Sequence, residues 1–552
     1  MTSQVAKSPA PRRTVRALLL GAALSLVAVP VVATASSTTT TTTTTSTAPT
    51  TTTTTPASLG PDGMVSPAIV AENNRTGTNA WRIARGTSPT VIQAFANLTY
   101  VAVGHSVRLY VSSQVPTYRV IAYRMGWYQG LGARQVWTSP VETGRLQPAC
   151  PVTAATNMVS CANWSVSLVV PITSAWFPGD YLIKLVAGPR AASYVLLTVW
   201  DPSSTAAYVI MNRSFIEQGW NTYGGFSYYR GVGPCIIDTA KYPVCNRARV
   251  VSFDRPYDTG YGSSDYLTNE YPLIQLLEKE GLDVTYVTDV TVSEHPTLLL
   301  RHRALLSLDH DESWTYAERI AVRDAVARGV NVAYFGAAAM VRHVRLQPSP
   351  LGPDREEVDY RSAGEDPLNG VGDPMQVTAN TWASPPSSWP PTAQIGVQYS
   401  GYLSPGLTVP MVIADAGSWV FQGARLHTGS TIPRVIGSDF DHVVGSSPPG
   451  LTVLAHSPVP TYEATVSGTT WAGVSYSDMV YFTNPQSQAG VFDTGDNIWI
   501  GDLRPCTPGE LGCPRRVFTR VTNNVLRLFG QGPAGVREPS TSNLSSISPA
   551  GS

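Results

Sequence analysis

The chain has 552 residues, of which 43% are hydrophobic and only 14% charged, with 44 prolines and 46 glycines. Charge that far below the usual quarter, with so many turn residues, points to a loop-rich and β-rich protein. Lysine plus arginine, 38, balances aspartate plus glutamate, 38, which excludes a nucleic-acid binder working through a broad basic surface.

Lys7, Arg12, Arg13 and Arg16 precede the apolar run Ala17 to Val32, and Ala33-Thr34-Ala35 supplies small residues at cleavage-site spacing. Residues 1–35 therefore read as a signal peptide for a secreted or cell-envelope protein, with both the general and the twin-arginine export routes open. Gly21 and Pro30 interrupt the run, which is shorter than the ~20 apolar residues of a spanning helix, so no membrane span is expected after cleavage. Cleavage removes four basic and no acidic residues, leaving a net charge of −4. Residues 36–60 are mostly threonine, a disordered stalk that cannot bury a core. Residues 531–552, with Val536, Leu544 and Ile547 as their large aliphatics, read as a disordered tail.

Six cysteines fall into three short-range pairs, Cys150 with Cys161, Cys235 with Cys245, and Cys506 with Cys513. In an exported chain that spacing favours three local disulfides, which removes thiol catalysis, and the absence of CxxC spacing argues against zinc.

The part that folds divides near residue 203. Across 61–202, runs such as Ser106 to Val111, Tyr118 to Tyr123, Trp164 to Val169 and Tyr194 to Val199 are short, β-branched and aromatic, and are separated by Gly, Pro and Ser. No helical period intervenes, which predicts an antiparallel β-sandwich of Ig-like size. Across 203–530 the texture alternates. Strands at 207–211, 250–253, 284–287, 304–308 and 330–335 are interspersed with a helix opened by Pro272 and closed by Gly281, and another from about Tyr316 to Arg328 with a Thr315/Glu318 capping box. That order predicts a doubly wound α/β layer with a largely parallel sheet. Residues 345–480 read as long excursions plus further strands, and the fold closes with a helix from about Arg515 to Leu528.

Open α/β sheets place ligands beyond the carboxyl ends of their strands. The 304–308 strand runs directly into Asp309-His310-Asp311-Glu312. In extended chain, His310 and Glu312 point the same way, and such a pair can ligate a metal or act as base and acid. The plainer alternative is that Asp311 or Glu312 complements the following helix N-terminus. Tyr223, Tyr228, Tyr229 and Tyr257 crowd the loops after the first two strands of the layer, where tyrosines either pack or line a site. A G-x-S-x-G nucleophile elbow is absent. The turn at 335–339 offers only alanines after Gly336, and the glycine pattern at 530–535 lies in the tail without a following helix.

The stretches AENNRTGTNAW (71–81), YRMGWYQGLGAR (123–134), WFPGDYLIKL (176–185), WNTYGG (220–225), VSFDRPY (251–257), LSLDHDESW (306–314) and VIGSDFDHV (435–443) resemble, in that order, the large subunit of N,N-dimethylformamidase and exported proteins related to its C-terminal part. The resemblance covers about 66–529. It implies an Ig-like β-sandwich packed on a class I glutamine amidotransferase-like α/β domain. It further implies a mononuclear iron held by two tyrosines and a glutamate, hydrolysing a small amide. On this resemblance Glu312 is the glutamate ligand, His310 the histidine behind it, and Tyr223, Tyr229 and Tyr257 are the tyrosine candidates. Trp220 stands where relatives have a tyrosine, Asp439 replaces a glutamate that would act beside His310, and Arg361 replaces a lysine. The chain departs from its relatives at Asp309 and Ser313, where they have Gly and Tyr, and at Ala338, where they have Asn.

Two functions stay open. One is a metal-dependent amidohydrolase acting on a small molecule, with His310 or Asp439 handling protons. The other is a non-catalytic cell-envelope binding or structural module that keeps the fold with an eroded pocket. Neither reading involves nucleic acid, and neither specifies an oligomer.

Overall fold

The computed structural model describes residues 55–232, 246–403, 406–459, 465–466, 469–470, 475–506 and 515–547. The expected signal peptide, residues 36–54 of the expected stalk, and Cys235, Cys245 and Cys513 lie outside the described residues, while the stalk's last residues depart from the expected disorder, Ser58–Leu59 pairing with Met64–Val65. The molecule is a mixed α/β structure, and residues 54–552 form one compact unit.

The apolar–polar alternation of 92–200 produces two sheets. One pairs Leu168–Pro171, Ser106–Ser113 and Ile92–Ala96, all antiparallel. The other runs Tyr100–Ala102, Ala191–Trp200, Gly179–Gly188, Thr117–Met125, Ala133–Thr138, antiparallel except for its first pair. Strand 106–113 shows the cause: Ser106 and Arg108 face water while Val107 and Leu109 are fully buried. These meet Val120, Ala122, Ile183 and Leu185 of the second sheet in one apolar cluster.

After residue 203 the parallel strands are buried along their whole length, as a sheet covered on both faces requires. Seven of them follow the order Val284–Thr288, Tyr208–Asn212, Ala304–Leu308, Asn331–Phe335, Gly490–Asp493, Ser475–Thr483, Thr452–Val459. The first five are parallel and the last two antiparallel. Pro272 sits in the first turn of the helix Tyr271–Lys279, whose Leu273, Ile274, Leu276 and Leu277 are buried, and Gly281 follows it at φ 66°. The helix Tyr316–Ala327 opens with the expected capping box, and the closing helix is Arg515–Phe529.

The 345–480 region contributes the two-stranded antiparallel sheet of Gln398–Tyr402 with Asp439–His442, and the strands Arg342–Ser349 and Gly352–Val358 that extend from Ser313–Thr315. The C-terminal segment corrects the expectation of disorder as far as residue 547. Asn543 donates to the Val453 carbonyl and accepts from the Val453 N–H at 2.9 and 2.8 Å, and Thr483 N–H donates to Ser540 at 2.9 Å. Polar side chains dock this segment by satisfying backbone groups at the edge of the sheet, and Ala534, Leu544 and Ile547 pack on the apolar core. A short helix, Pro67–Asn73, is also present ahead of the first sheets. Among the described residues no helix is long and apolar enough to cross a membrane.

The two halves are pinned by a fully buried ion pair, Arg124 Nη2 to Glu278 Oε1 at 2.7 Å. Tyr286 donates to the same carboxylate oxygen at 2.6 Å, and Asn73 donates to Oε2. Removing one partner of a buried pair strands the other charge, at a cost of about 3–5 kcal/mol. Glu278→Leu should therefore lower unfolding stability by about that amount in urea, with Arg124→Met added to it recovering much of the loss; a single-variant loss below about 1 kcal/mol would contradict the role given to the pair.

Candidate functional site

The 304–308 strand ends against a turn built by close backbone approach. Asp309 adopts φ 47°, a left-handed conformation in which glycine is at home and aspartate is tolerated. Its neighbour across the sheet, Gly336, has no room for a side chain: a Cβ there would lie 1.7 Å from the Asp309 carbonyl oxygen. Arg213, just past the 208–212 strand, fixes the turn from below. It donates to Asp265 at 2.7 Å, to Glu270 at 3.4 Å and to the His310 carbonyl at 3.2 Å, and pairs with Asp309 at 3.3 Å. The departure at Asp309 is thereby explained, because its carboxylate helps neutralise a buried guanidinium and also accepts from Asn269 at 3.1 Å.

The turn brings His310 and Glu312 to one side, with His310 Nε2 at 3.7 Å from Glu312 Oε2. Glu312 Oε1 accepts from Arg342 Nε at 2.9 Å, and the Arg342 N–H donates to the Glu312 carbonyl at 2.8 Å, the register set where Ser313 pairs with Arg342. Tyr229 donates its hydroxyl to Oε2. Burial raises the Glu312 pKa, but Arg342, His310 and Arg361 outweigh it and hold the carboxylate below its ordinary range. Burial likewise disfavours charge on His310, yet Asp439, Glu312 and Asp309 raise its pKa overall. Asp439 moves the other way, pushed up by burial against the pull of His310. Its Oδ2 accepts from Ser438 at 3.1 Å and Asn497 at 3.2 Å. Two carboxylates in one site are thus tuned apart, one firmly ionised and one closer to taking a proton.

Around Tyr229 the walls are flat and cationic. Trp220 stacks on its ring at 3.7 Å and 2°, and the Arg361 guanidinium lies 4.1 Å from the ring centroid. Burial and the Glu312 charge raise the Tyr229 pKa, so the phenol keeps its proton beside the carboxylate. Tyr399, in the 398–402 strand, feels Asp439, Glu312, Arg342 and Tyr229 electrostatically and is also raised by burial.

Of the residues named from the sequence, His310, Glu312, Tyr229 and Asp439 converge. Tyr223 and Tyr257 do not join them. Tyr223 packs beside Cys150 and Cys161, its hydroxyl 3.5 Å from Gln93, and Tyr257 lines a separate cavity with Glu217 and Gln218. Arg342 and Tyr399 went unnamed in the sequence reading, being delivered by pairings between distant strands. The Cys150–Cys161 disulfide is formed, and Cys506 is disulfide-bonded.

The donor set fits a hard cation. A carboxylate oxygen and a phenol oxygen share a hydrogen bond whose proton a metal would displace, and Tyr399 is a second phenol within electrostatic reach of both. Because Arg342 occupies Oε1, Glu312 has Oε2 to offer.

Comparison with known proteins adds one informative match. The family model described as N,N-dimethylformamidase beta subunit-like, C-terminal, matches residues 119–511. No curated protein matches. Among solved structures, a cycloisomaltooligosaccharide glucanotransferase of Paenibacillus sp. complexed with cycloisomaltoheptaose is 14% identical over 24% of this chain and 17% of its own, with a TM-score of 0.14, and bears on neither fold nor function.

Asp441, on the same strand as Asp439, is fully buried, accepts from the Ala338 N–H at 2.8 Å, and has its pKa pushed up to about 7 by burial. A raised acid holds its proton longer in the folded state than in the unfolded one, so ionisation costs stability as pH climbs from about 4 to about 7. Asp441→Asn removes that cost. Relative to the parent, its unfolding free energy in urea should gain progressively across that window, by on the order of 2–4 kcal/mol at the plateau above pH 7; a pH-independent difference would refute the assignment.

Proposed function

Because the chain belongs to the N,N-dimethylformamidase beta subunit-like, C-terminal family, we propose that it is an exported hydrolase of a carbon–nitrogen bond in a small amide. The observation that carries the reading is the convergence of Glu312, Tyr229, His310 and Asp439 at the carboxyl end of a parallel strand. With it go the finer structural readings: a signal peptide at 1–35, a stalk at 36–60, an Ig-like sandwich at 61–202, and a class I glutamine amidotransferase-like α/β domain from 203.

Each residue has a task in that reading. Glu312 and Tyr229, with Tyr399, would hold a mononuclear iron. Such an ion, when bound, supplies Lewis-acid polarisation of the substrate carbonyl and acidifies a water. Arg342 orients Glu312 by binding Oε1 and the backbone, so that Oε2 faces the site. His310, whose pKa three neighbouring carboxylates raise against burial, is placed to donate a proton to the departing amine nitrogen. Asp439, with its raised pKa, is the better proton acceptor of the two carboxylates and takes the proton released as water attacks. Trp220 and Arg361 clamp the Tyr229 ring between them, which fixes its hydroxyl on Glu312.

A specific observation favours the non-catalytic alternative: Ala338 offers no side-chain polar group where relatives carry an amide, and Arg361 faces the Tyr229 ring. Amine release from formamide, dimethylformamide and acetamide by the iron-loaded mature protein separates the two. The hydrolase reading expects turnover that falls by about 10²–10⁴ in His310→Ala and in Glu312→Gln, with near-native circular dichroism. No turnover on any of these amides, or Glu312→Gln as active as the parent, favours the binding module.

A further inference from the structure

Behind Arg213, on the side away from Glu312, lies a second polar centre. A cavity of about 60 Å³ is lined by Asp180 and Thr198 from the first half and by Asn212, Glu217, Tyr266 and Glu270 from the second. A water needs roughly 10–15 Å³, so the space holds an ion with a few waters. Oxygen atoms of Glu217, Asp265 and Glu270 lie within 4.8 Å of one another.

The walls are short of donors. Asp180 Oδ2, Asn212 Oδ1, Glu217 Oε1 and Glu270 Oε2 are buried without a hydrogen-bond partner, as is the Tyr266 hydroxyl. Asn212 and Asp180 are independent of the three-carboxylate cluster, and each is more than nine-tenths buried. Their remaining atoms are used on each other: Asn212 Nδ2 donates to Asp180 Oδ1 at 2.6 Å and to Thr198 at 3.0 Å, and Thr198 donates to the same Oδ1 at 3.0 Å. That arrangement leaves Asn212 Oδ1 and Asp180 Oδ2 as acceptors on the cavity wall. Arg213 bonds Asp265 and Glu270 but is also shared with Asp309, while Arg255 and Arg355, which line the cavity, spend their donors on the Gln218 side chain, on Asp254 and on backbone carbonyls. Buried carboxylates therefore outnumber the cations bonded to them, and buried acceptors without donors are what native interiors avoid.

We propose that Glu217 and Glu270, with Asp265 beside them and Asp180 and Asn212 lining the same cavity as the two glutamates, form a binding site for a hard divalent cation, calcium in the first instance. The donors are all oxygen, with neither imidazole nor thiolate, which selects the calcium and magnesium class over zinc or copper. Calcium takes the irregular, water-completed shell that a cavity of this size and donor spread allows, whereas magnesium asks for a tight octahedron. The cation bridges the 179–188 strand of the first half to the helix Ser214–Trp220 and the loop before Tyr271 in the second, and steadies the residues that hold Arg213.

The full mature chain, stripped with chelator, is titrated with calcium or magnesium chloride while bound metal and thermal midpoint are measured. The expected result is close to one calcium per chain after gel filtration, and a midpoint rise of about 3 °C at a hundredfold excess over Kd. Glu217→Gln and Glu270→Gln, nearly isosteric, should lose both effects, while Glu312→Gln keeps them, which separates this site from the one proposed for iron. Less than about 0.1 equivalent of either metal at millimolar concentration, with an unchanged midpoint, overturns the proposal, as does parent-like binding by both glutamine variants. If those variants fail to fold, the stoichiometry of the parent chain decides alone.

Discussion

A permanent positive charge, Arg213, is buried at the carboxyl edge of the parallel sheet, and much of the site follows from the need to neutralise it. A guanidinium cannot shed its proton, so burial is tolerated only with carboxylates and carbonyls around it. Asp265, Glu270, Asp309 and the His310 carbonyl meet that need. Pulling Asp309 down onto Arg213 holds it in the left-handed turn that Gly336 leaves room for, and the turn sends His310 and Glu312 to the same side. A stability requirement and the placement of chemistry are here the same contact.

From that turn outward, the site is organised by charge. Arg342 and Arg361 keep Glu312 ionised beside the Tyr229 phenol, while Asp439, lacking a guanidinium partner, is shifted upward and trades influence with His310. Placing equal groups in unequal fields is how one pocket obtains both a ligand and a proton acceptor. On the other side of Arg213 the same guanidinium is outnumbered by Glu217, Asp265 and Glu270, and the unsatisfied oxygens there mark a different requirement, for a cation rather than for a reaction.

Much of this was legible in the residues. Alternation at 106–109, fully buried parallel strands after 203, Pro272 with Gly281, and the Thr315/Glu318 box each act locally, and each element stands where its local signals place it. His310 and Glu312 were legible for the same reason, since a strand's carboxyl end can be read from the strand. Arg342 and Tyr399 were not, because their positions depend on the pairing of Ser313 with Arg342 and of Tyr399 with Asp441, which no local pattern encodes. Choosing Tyr229 over Tyr223 and Tyr257 also needed tertiary information: all three lie on polar, Gly-rich or Pro-containing loops, and only the fold carries one of them to Glu312. The C-terminal segment misled by composition, since Asn331, Ser540 and Asn543 dock it through backbone hydrogen bonds that apolar counting overlooks.

The central claim is that Tyr229 and Glu312 form one metal-holding centre at the end of the 304–308 strand. The visible spectrum of the mature protein loaded with ferric ion tests it directly. A phenolate-to-iron charge-transfer band in the parent, lost in Tyr229→Phe and in Glu312→Gln but kept in Tyr223→Phe and Tyr257→Phe, is the predicted result. A band that survives Tyr229→Phe, or a parent chain that takes up no iron, would contradict it.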